Sequence, residues 1–175
     1  IFTRTKHRAD RVAASLTRAG YPVGVLHSNR SQQQRQRALA DFRAGSVPYL
    51  VATDIAARGI DVSTVSHVIN FDIPDTADTY IHRIGRTGRA ARSGEALTLV
   101  TREDHETVQM IERTLGERLP TQVLAGFDYQ QAMSGADVLP EGHGRGRGSQ
   151  ARVHPGLAYL SSAAYRERLT AARRA

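Results

Sequence analysis

The chain has 175 residues, 40% hydrophobic and 23% charged, and 24 Lys and Arg against 17 Asp and Glu give a net charge of +7. This is a soluble globular composition, one ordinary domain plus some extra length, with a charge that favours anionic partners. No apolar run approaches the ~18 residues of a membrane span, and the lack of Cys excludes a disulfide scaffold, a thiolate zinc site and a cysteine nucleophile. The chain opens on apolar Ile1-Phe2 without a charged leader, so a cytoplasmic setting is the expectation.

In chain order, Ile1-Phe2-Thr3 reads as the end of a strand, already under way at residue 1, which suggests a domain cut on its N-terminal side. Ala9, Val12, Ala13, Leu16 and Ala19 form a helical stripe stopped by Gly20. Tyr21–Leu26 reads as a strand. Ser31-Gln32-Gln33-Gln34 is a capping-box pattern opening a helix whose apolar face runs through Ala38, Leu39 and Phe42 to Gly45. Strand-like runs follow at Tyr49–Val51, His67–Phe71 and Glu95–Val100, with a short helix from near Thr76 between the last two. A final helix starts near Thr101 and carries Val108, Ile111 and Leu115 before Gly116.

Strands alternating with helices predict an α/β domain with a mainly parallel sheet covered on both faces, whose ligands bind beyond the carboxyl ends of the strands. The domain is expected to span residues 1–118. Residues 119–175 read as a basic, largely irregular extension, with Gly- and Arg-rich low complexity over 142–148. Within it, Ala158–Ala175 has the spacing of an appended helix.

Three polar segments sit where strands give way to loops or helices: 31–35, 52–61 and 82–89. Helix N-termini favour anions at such places. Arg83, Arg86 and Arg89, spaced by three with no carboxylate within four residues, crowd one side if the stretch is helical. A polyanion or an acidic partner surface would offset their repulsion; a solvated basic face is the plainer reading of that spacing alone.

Taken together and in order, Ile1-Phe2-Thr3-Arg4-Thr5-Lys6, Gln32-x-x-Arg35, Ala-Thr-Asp-Ile-Ala-Ala-Arg-Gly-Ile-Asp (52–61) and His-Arg-Ile-Gly-Arg-Thr-Gly-Arg (82–89) resemble motifs IV, IVa, V and VI of DEAD-box RNA helicases. The resemblance covers roughly residues 1–118, in a style similar to bacterial helicases of the RhlE kind. It implies a RecA-like three-layer sandwich, the second of two such domains that close over ATP and RNA. By the same resemblance Arg86 and Arg89 are arginine fingers, His82 couples the ATP site to the partner domain, and Gly59, Asp61 and Arg83 lie at the nucleotide. Arg58 organises the interdomain cleft, and Thr5, Gln32, Arg35 and Thr53 contact the RNA backbone without reading sequence.

ATP with Mg²⁺ is the implied cofactor, and RNA and an N-terminal RecA-like domain are the implied partners, with no membrane role. No G-x-x-x-x-G-K-[ST] loop or Asp-Glu-Ala-Asp box occurs. The nucleotide cradle and metal ligands are therefore expected on the other domain, and this chain alone is expected to be inactive. A non-catalytic RNA-binding module and an ATPase-docking module are the alternatives. Where the family often has His-Gly-Asp, this chain has His27-Ser28-Asn29.

Overall fold

The computed structural model describes residues 1–57, 65–88, 94–123 and 158–161. Helix α1 (Lys6–Arg18) is followed by β1 (Val23–Leu26), α2 (Gln32–Ala44), β2 (Tyr49–Ala52), α3 (Asp54–Ala57) and β3 (His67–Asn70). Then come α4 (Ala77–Ile84), β4 (Glu95–Val100), a 3₁₀ turn (Arg102–Asp104), α5 (His105–Leu115), β5 (Thr121–Val123) and β6 (Ala158–Ser161). β1 pairs with β2, and β3 with β4, in parallel. Phe2 bridges Ala52 and Asn70, also in parallel, and so joins the two pairs into one sheet. Beyond β4 lies β6, antiparallel to both β4 and β5.

Helices cover both faces, each over its own core. α1 lays Ala9, Val12 and Ala13 against Val51, while α2, α4 and α5 pack on the opposite face around Leu26, Leu50, Val68, Tyr80, Ile84 and Ile111. The helix limits follow local chemistry. Thr5, Ser31 and Thr76 accept from backbone N–H groups of the first turns of α1, α2 and α4. At α2 the capping box is complete, with Gln34 N–H on Ser31 Oγ at 3.2 Å and Ser31 N–H on Gln34 Oε1 at 2.9 Å. Gly45, at φ 77°, ends α2 in the left-handed conformation that side chains disfavour.

Two expectations shift. The last helix begins with a 3₁₀ turn, and its α-helical part starts at His105, because Asp104 Oδ2 accepts from both Thr101 N–H (2.7 Å) and Thr101 Oγ1 (2.8 Å). The helix expected from Ala158 is replaced at its start by β6. The open edge of β4 supplies a row of backbone donors and acceptors, and completing that ladder overrides a helical spacing. The Gly- and Arg-rich segment 142–148 lies outside the described residues.

Candidate functional site

The carboxyl ends of three neighbouring strand positions turn directly into helices. β1 leads through 27–31 to α2, β2 through Thr53 to α3, and Phe2 through Thr3–Thr5 to α1. Thr5, Gln32, Arg35 and Thr53 therefore share one edge of the sheet. Gln32 and Arg35 act as a pair, with Arg35 Nη1 donating to Gln32 Oε1 at 3.3 Å on the first turn of a 13-residue helix. Thr5 Oγ1 accepts from Arg8 N–H at 3.2 Å, which leaves its hydroxyl proton to donate. Thr53 N–H donates to the Leu26 carbonyl and its own carbonyl accepts from Ala57 N–H, so its backbone opens α3.

The loop that delivers α2 is held from beneath. His27 is buried; its Nδ1 accepts from Asn29 N–H at 3.2 Å, so Nε2 carries the proton and donates to Asp10 Oδ1 at 2.9 Å. Arg30 Nη2 donates to the same oxygen at 2.7 Å. Burial works to raise the Asp10 carboxyl, but the hydrogen bonds from His27 and Arg30, with the Arg30 charge, outweigh it and hold the group below the ordinary aspartate range. Ser28 and Asn29, which stand where the family has Gly-Asp, are exposed, and Lys6 Nζ donates to Asn29 Oδ1 at 3.0 Å.

Arg83 does not lie on a solvated face. Arg83 is 3% exposed. Its Nε and Nη2 donate to the two Asp54 oxygens at 2.6 and 2.8 Å, a bidentate pair, and Nη1 donates to Asn70 Oδ1 at 3.2 Å and to the Asp72 carbonyl at 2.7 Å. Its guanidinium lies 5.2 Å from the centre of the Phe2 ring. The carboxylate absent from the neighbouring sequence thus arrives from 29 residues away and compensates the Arg83 charge. So placed, Arg83 ties α4 to the ends of β2 and β3.

Beyond the end of α4 the chain turns. His82 is exposed, and its carbonyl accepts from half-buried Arg86 Nε at 3.3 Å. Thr87 is buried, and Oγ1 shares its proton between the carbonyls of Val65 (2.6 Å) and Ser66 (2.8 Å). Gly88 has φ 62°. A Cβ at Gly94 would collide with Thr87 Oγ1 and Gly88 N. These contacts fix the turn that carries Arg86. Arg58, Gly59, Asp61 and Arg89 lie outside the described residues.

Asp54, Asn70, Asp72 and Thr87 were not legible as site residues. Asp54 alone had a signal, its place between Thr53 and Arg58 in the 52–61 segment. Among the described residues no group of three His, Asp or Glu could hold a metal ion, so they supply no ligand set for the implied Mg²⁺. No described helix is long and apolar enough to cross a membrane.

Residues 1–91 match the helicase conserved C-terminal domain. The chain is 44% identical over 119 residues to the DEAD-box ATP-dependent RNA helicase CshA of Bacillus subtilis, covering 68% of this chain and 24% of that protein. It is 42% identical over 165 residues to the ATP-dependent rRNA helicase RRP3 of Kluyveromyces lactis, covering 87% and 34%. It thus spans about a quarter to a third of the curated relatives it matches. These relatives set the family without singling out the RhlE kind.

Among solved structures, E. coli DEAD-box protein SrmB, bound to regulator of ribonuclease activity A, superposes with a TM-score of 0.67 at 43% identity, covering 70% of this chain and 72% of that one. S. cerevisiae Dbp5 bound to RNA and ADP BeF3 superposes at 0.61 with 38% identity, covering 68% and 33%. The sheet, its two helical layers and the ordered motifs agree with these likenesses: the chain belongs to the DEAD-box RNA helicase family and carries the family's C-terminal, RecA-like domain.

Proposed function

We propose that this chain works as one half of an ATP-dependent RNA helicase, gripping an RNA backbone along the Thr5–Gln32–Arg35–Thr53 edge and lending arginine to a nucleotide pocket completed by a second domain. The observation that carries this reading is the gathering of those four residues on adjoining strand ends, where a helix N-terminus and the Gln32–Arg35 pair are suited to phosphate oxygens. The relative that holds RNA and ADP BeF3 supports it.

On the nucleotide side, Arg86 and Arg89 neutralise charge building on the transferred phosphoryl group, Asp61 bonds the ribose, and Gly59 permits close approach of the backbone. His82, exposed on α4, relays the state of that pocket to the neighbouring domain, and Arg58 shapes the cleft. Contacts made to phosphate and sugar position a strand without reading its bases, so binding is indifferent to sequence. The reaction is hydrolysis of ATP to ADP and phosphate, coupled by domain closure to the separation of short duplexes.

Removing the paired side chains together, Gln32→Ala with Arg35→Ala, is expected to weaken single-stranded RNA binding by the two-domain enzyme about tenfold, as loss of one or two charged contacts does. ATP affinity without RNA stays unchanged. Filter binding across a salt series checks this: the double variant lowers the slope of log affinity against log salt by about one. Unaltered RNA affinity and slope would remove this edge from the RNA-binding surface.

A further inference from the structure

Lys6 and Asn29 lie between two parts of the edge to which RNA binding is ascribed above. Lys6 opens α1 directly after Thr5, and Asn29 stands in the loop that leads to Gln32. Lys6 Nζ donates to Asn29 Oδ1 at 3.0 Å, so the start of α1 is joined to that loop. One helical turn along α1, Asp10 Oδ1 accepts from His27 Nε2 and Arg30 Nη2 of the same loop. The loop is therefore clasped by α1 at two successive turns.

The two clasps differ in charge. At Asp10 the Arg30 cation meets a carboxylate at 2.7 Å, and the pair is neutral. At Lys6 the partner is an uncharged amide, and no carboxylate among the described residues forms an ion pair with the ammonium. The first turns of α1 and α2 carry no acidic residue, and residues 11–40 contain no Asp or Glu at all. The net positive charge of the clasps thus rests on Lys6. Folding gains nothing from it there, since a cation on the first residue of a helix opposes the helix dipole. An uncharged donor would serve Asn29 Oδ1 as well. The ammonium has three donor hydrogens and Asn29 takes one, which leaves two to bond an anion.

We propose that Lys6 is a further phosphate contact on this edge and that Asn29 sets its strength. The amide orients the ammonium between Thr5 and the Gln32–Arg35 pair without cancelling its charge. A carboxylate at position 29 would hold Lys6 equally well and neutralise it, so the residue type at 29 determines how strongly the edge attracts a polyanion.

This inference rests on the RNA reading of the same edge, and its test separates the two. Filter binding of single-stranded poly(U) RNA to the two-domain enzyme is followed across a KCl series. Lys6→Gln is expected to weaken binding about three- to tenfold and to lower the slope of log affinity against log salt by about 0.7, the value of one contact on a single strand. Asn29→Asp is expected to lower the slope similarly when Lys6 is present and to leave it unchanged in the Lys6→Gln background. Asn29→Ala keeps the parental slope. Lys6→Arg separates charge from packing: it is expected to retain the parental slope, and a slope as low as that of Lys6→Gln would overturn the proposal. An unchanged slope in Lys6→Gln, or an Asn29→Asp effect of equal size with and without Lys6, also overturns it. If Gln32→Ala with Arg35→Ala weakens binding while Lys6→Gln does not, this contact alone falls; if neither does, the RNA reading of the edge falls with it.

Discussion

On the proposed reading, with an N-terminal RecA-like domain supplied, Arg86→Ala is expected to lower ATP turnover by about 10³-fold or more while leaving nucleotide affinity within a few-fold. An inserted guanidinium meets charge that develops only as the phosphoryl group transfers, so its removal falls on kcat and hardly on binding. The geometry supports this division of labour. Arg86 follows α4 on a turn fixed by Thr87, which is bonded to the carbonyls of Val65 and Ser66, and by the close approach of Gly94 to Gly88. Arg86 can therefore present a charge at a set position instead of sampling solvent. Arg86→Lys keeps the charge but loses the planar fork, and is expected to recover only a small part of the rate. Single-turnover hydrolysis combined with fluorescent-nucleotide titration separates the two quantities. Unchanged turnover in Arg86→Ala would remove it from the reacting pocket.

Asp54→Ala is expected to cost about 2–4 kcal/mol of folding stability and to lower the melting midpoint by roughly 10–20 °C. The reason is asymmetry: Arg83 is held 3% exposed beneath α4, and without its bidentate partner the guanidinium stays buried with an uncompensated charge. The upper values typical of fully buried pairs are not reached, because the Asp54 side chain is 36% exposed and water can partly screen the site. Arg83→Met combined with Asp54→Ala is expected to melt above Asp54→Ala alone, since the double change removes the orphaned charge along with its partner. Thermal unfolding by circular dichroism on the three variants checks the order. A double variant less stable than Asp54→Ala would show that Arg83 stabilises mainly through Asn70, the Asp72 carbonyl and the Phe2 ring.

Much of the fold was legible because the helices carry their own limits. The Ser31–Gln34 capping box, the stripe Ala9–Val12–Ala13–Leu16 and Gly116 at φ 73° each correspond to a feature of the structure. Those signals act over three or four residues, which is the range that periodicity samples. β6 escaped the reading because its pairing with β4 is set by a strand edge some sixty residues earlier in the chain. The inward turn of Arg83 escaped for a related reason. Spacing by three placed it beside Arg86 and Arg89, whereas burial and a distant carboxylate decide where it points. His82, to which the resemblance gives a coupling role, is exposed. Of the candidate site, the residues proposed to face RNA came together on one edge, because a loop at the carboxyl end of each parallel strand is a property of the topology and hence of the alternating pattern itself.

The measurement that bears most directly on the division of the site between two domains is reconstitution. ATP hydrolysis is followed for this chain alone, for a separate polypeptide carrying a phosphate loop and an acidic metal-binding box from the same family, and for the two mixed with single-stranded RNA. RNA-dependent hydrolysis is expected only in the mixture, and is expected to vanish when the chain carries Arg86→Ala. Hydrolysis by this chain alone, or a mixture no more active than the sum of its parts at concentrations where they associate, would contradict it.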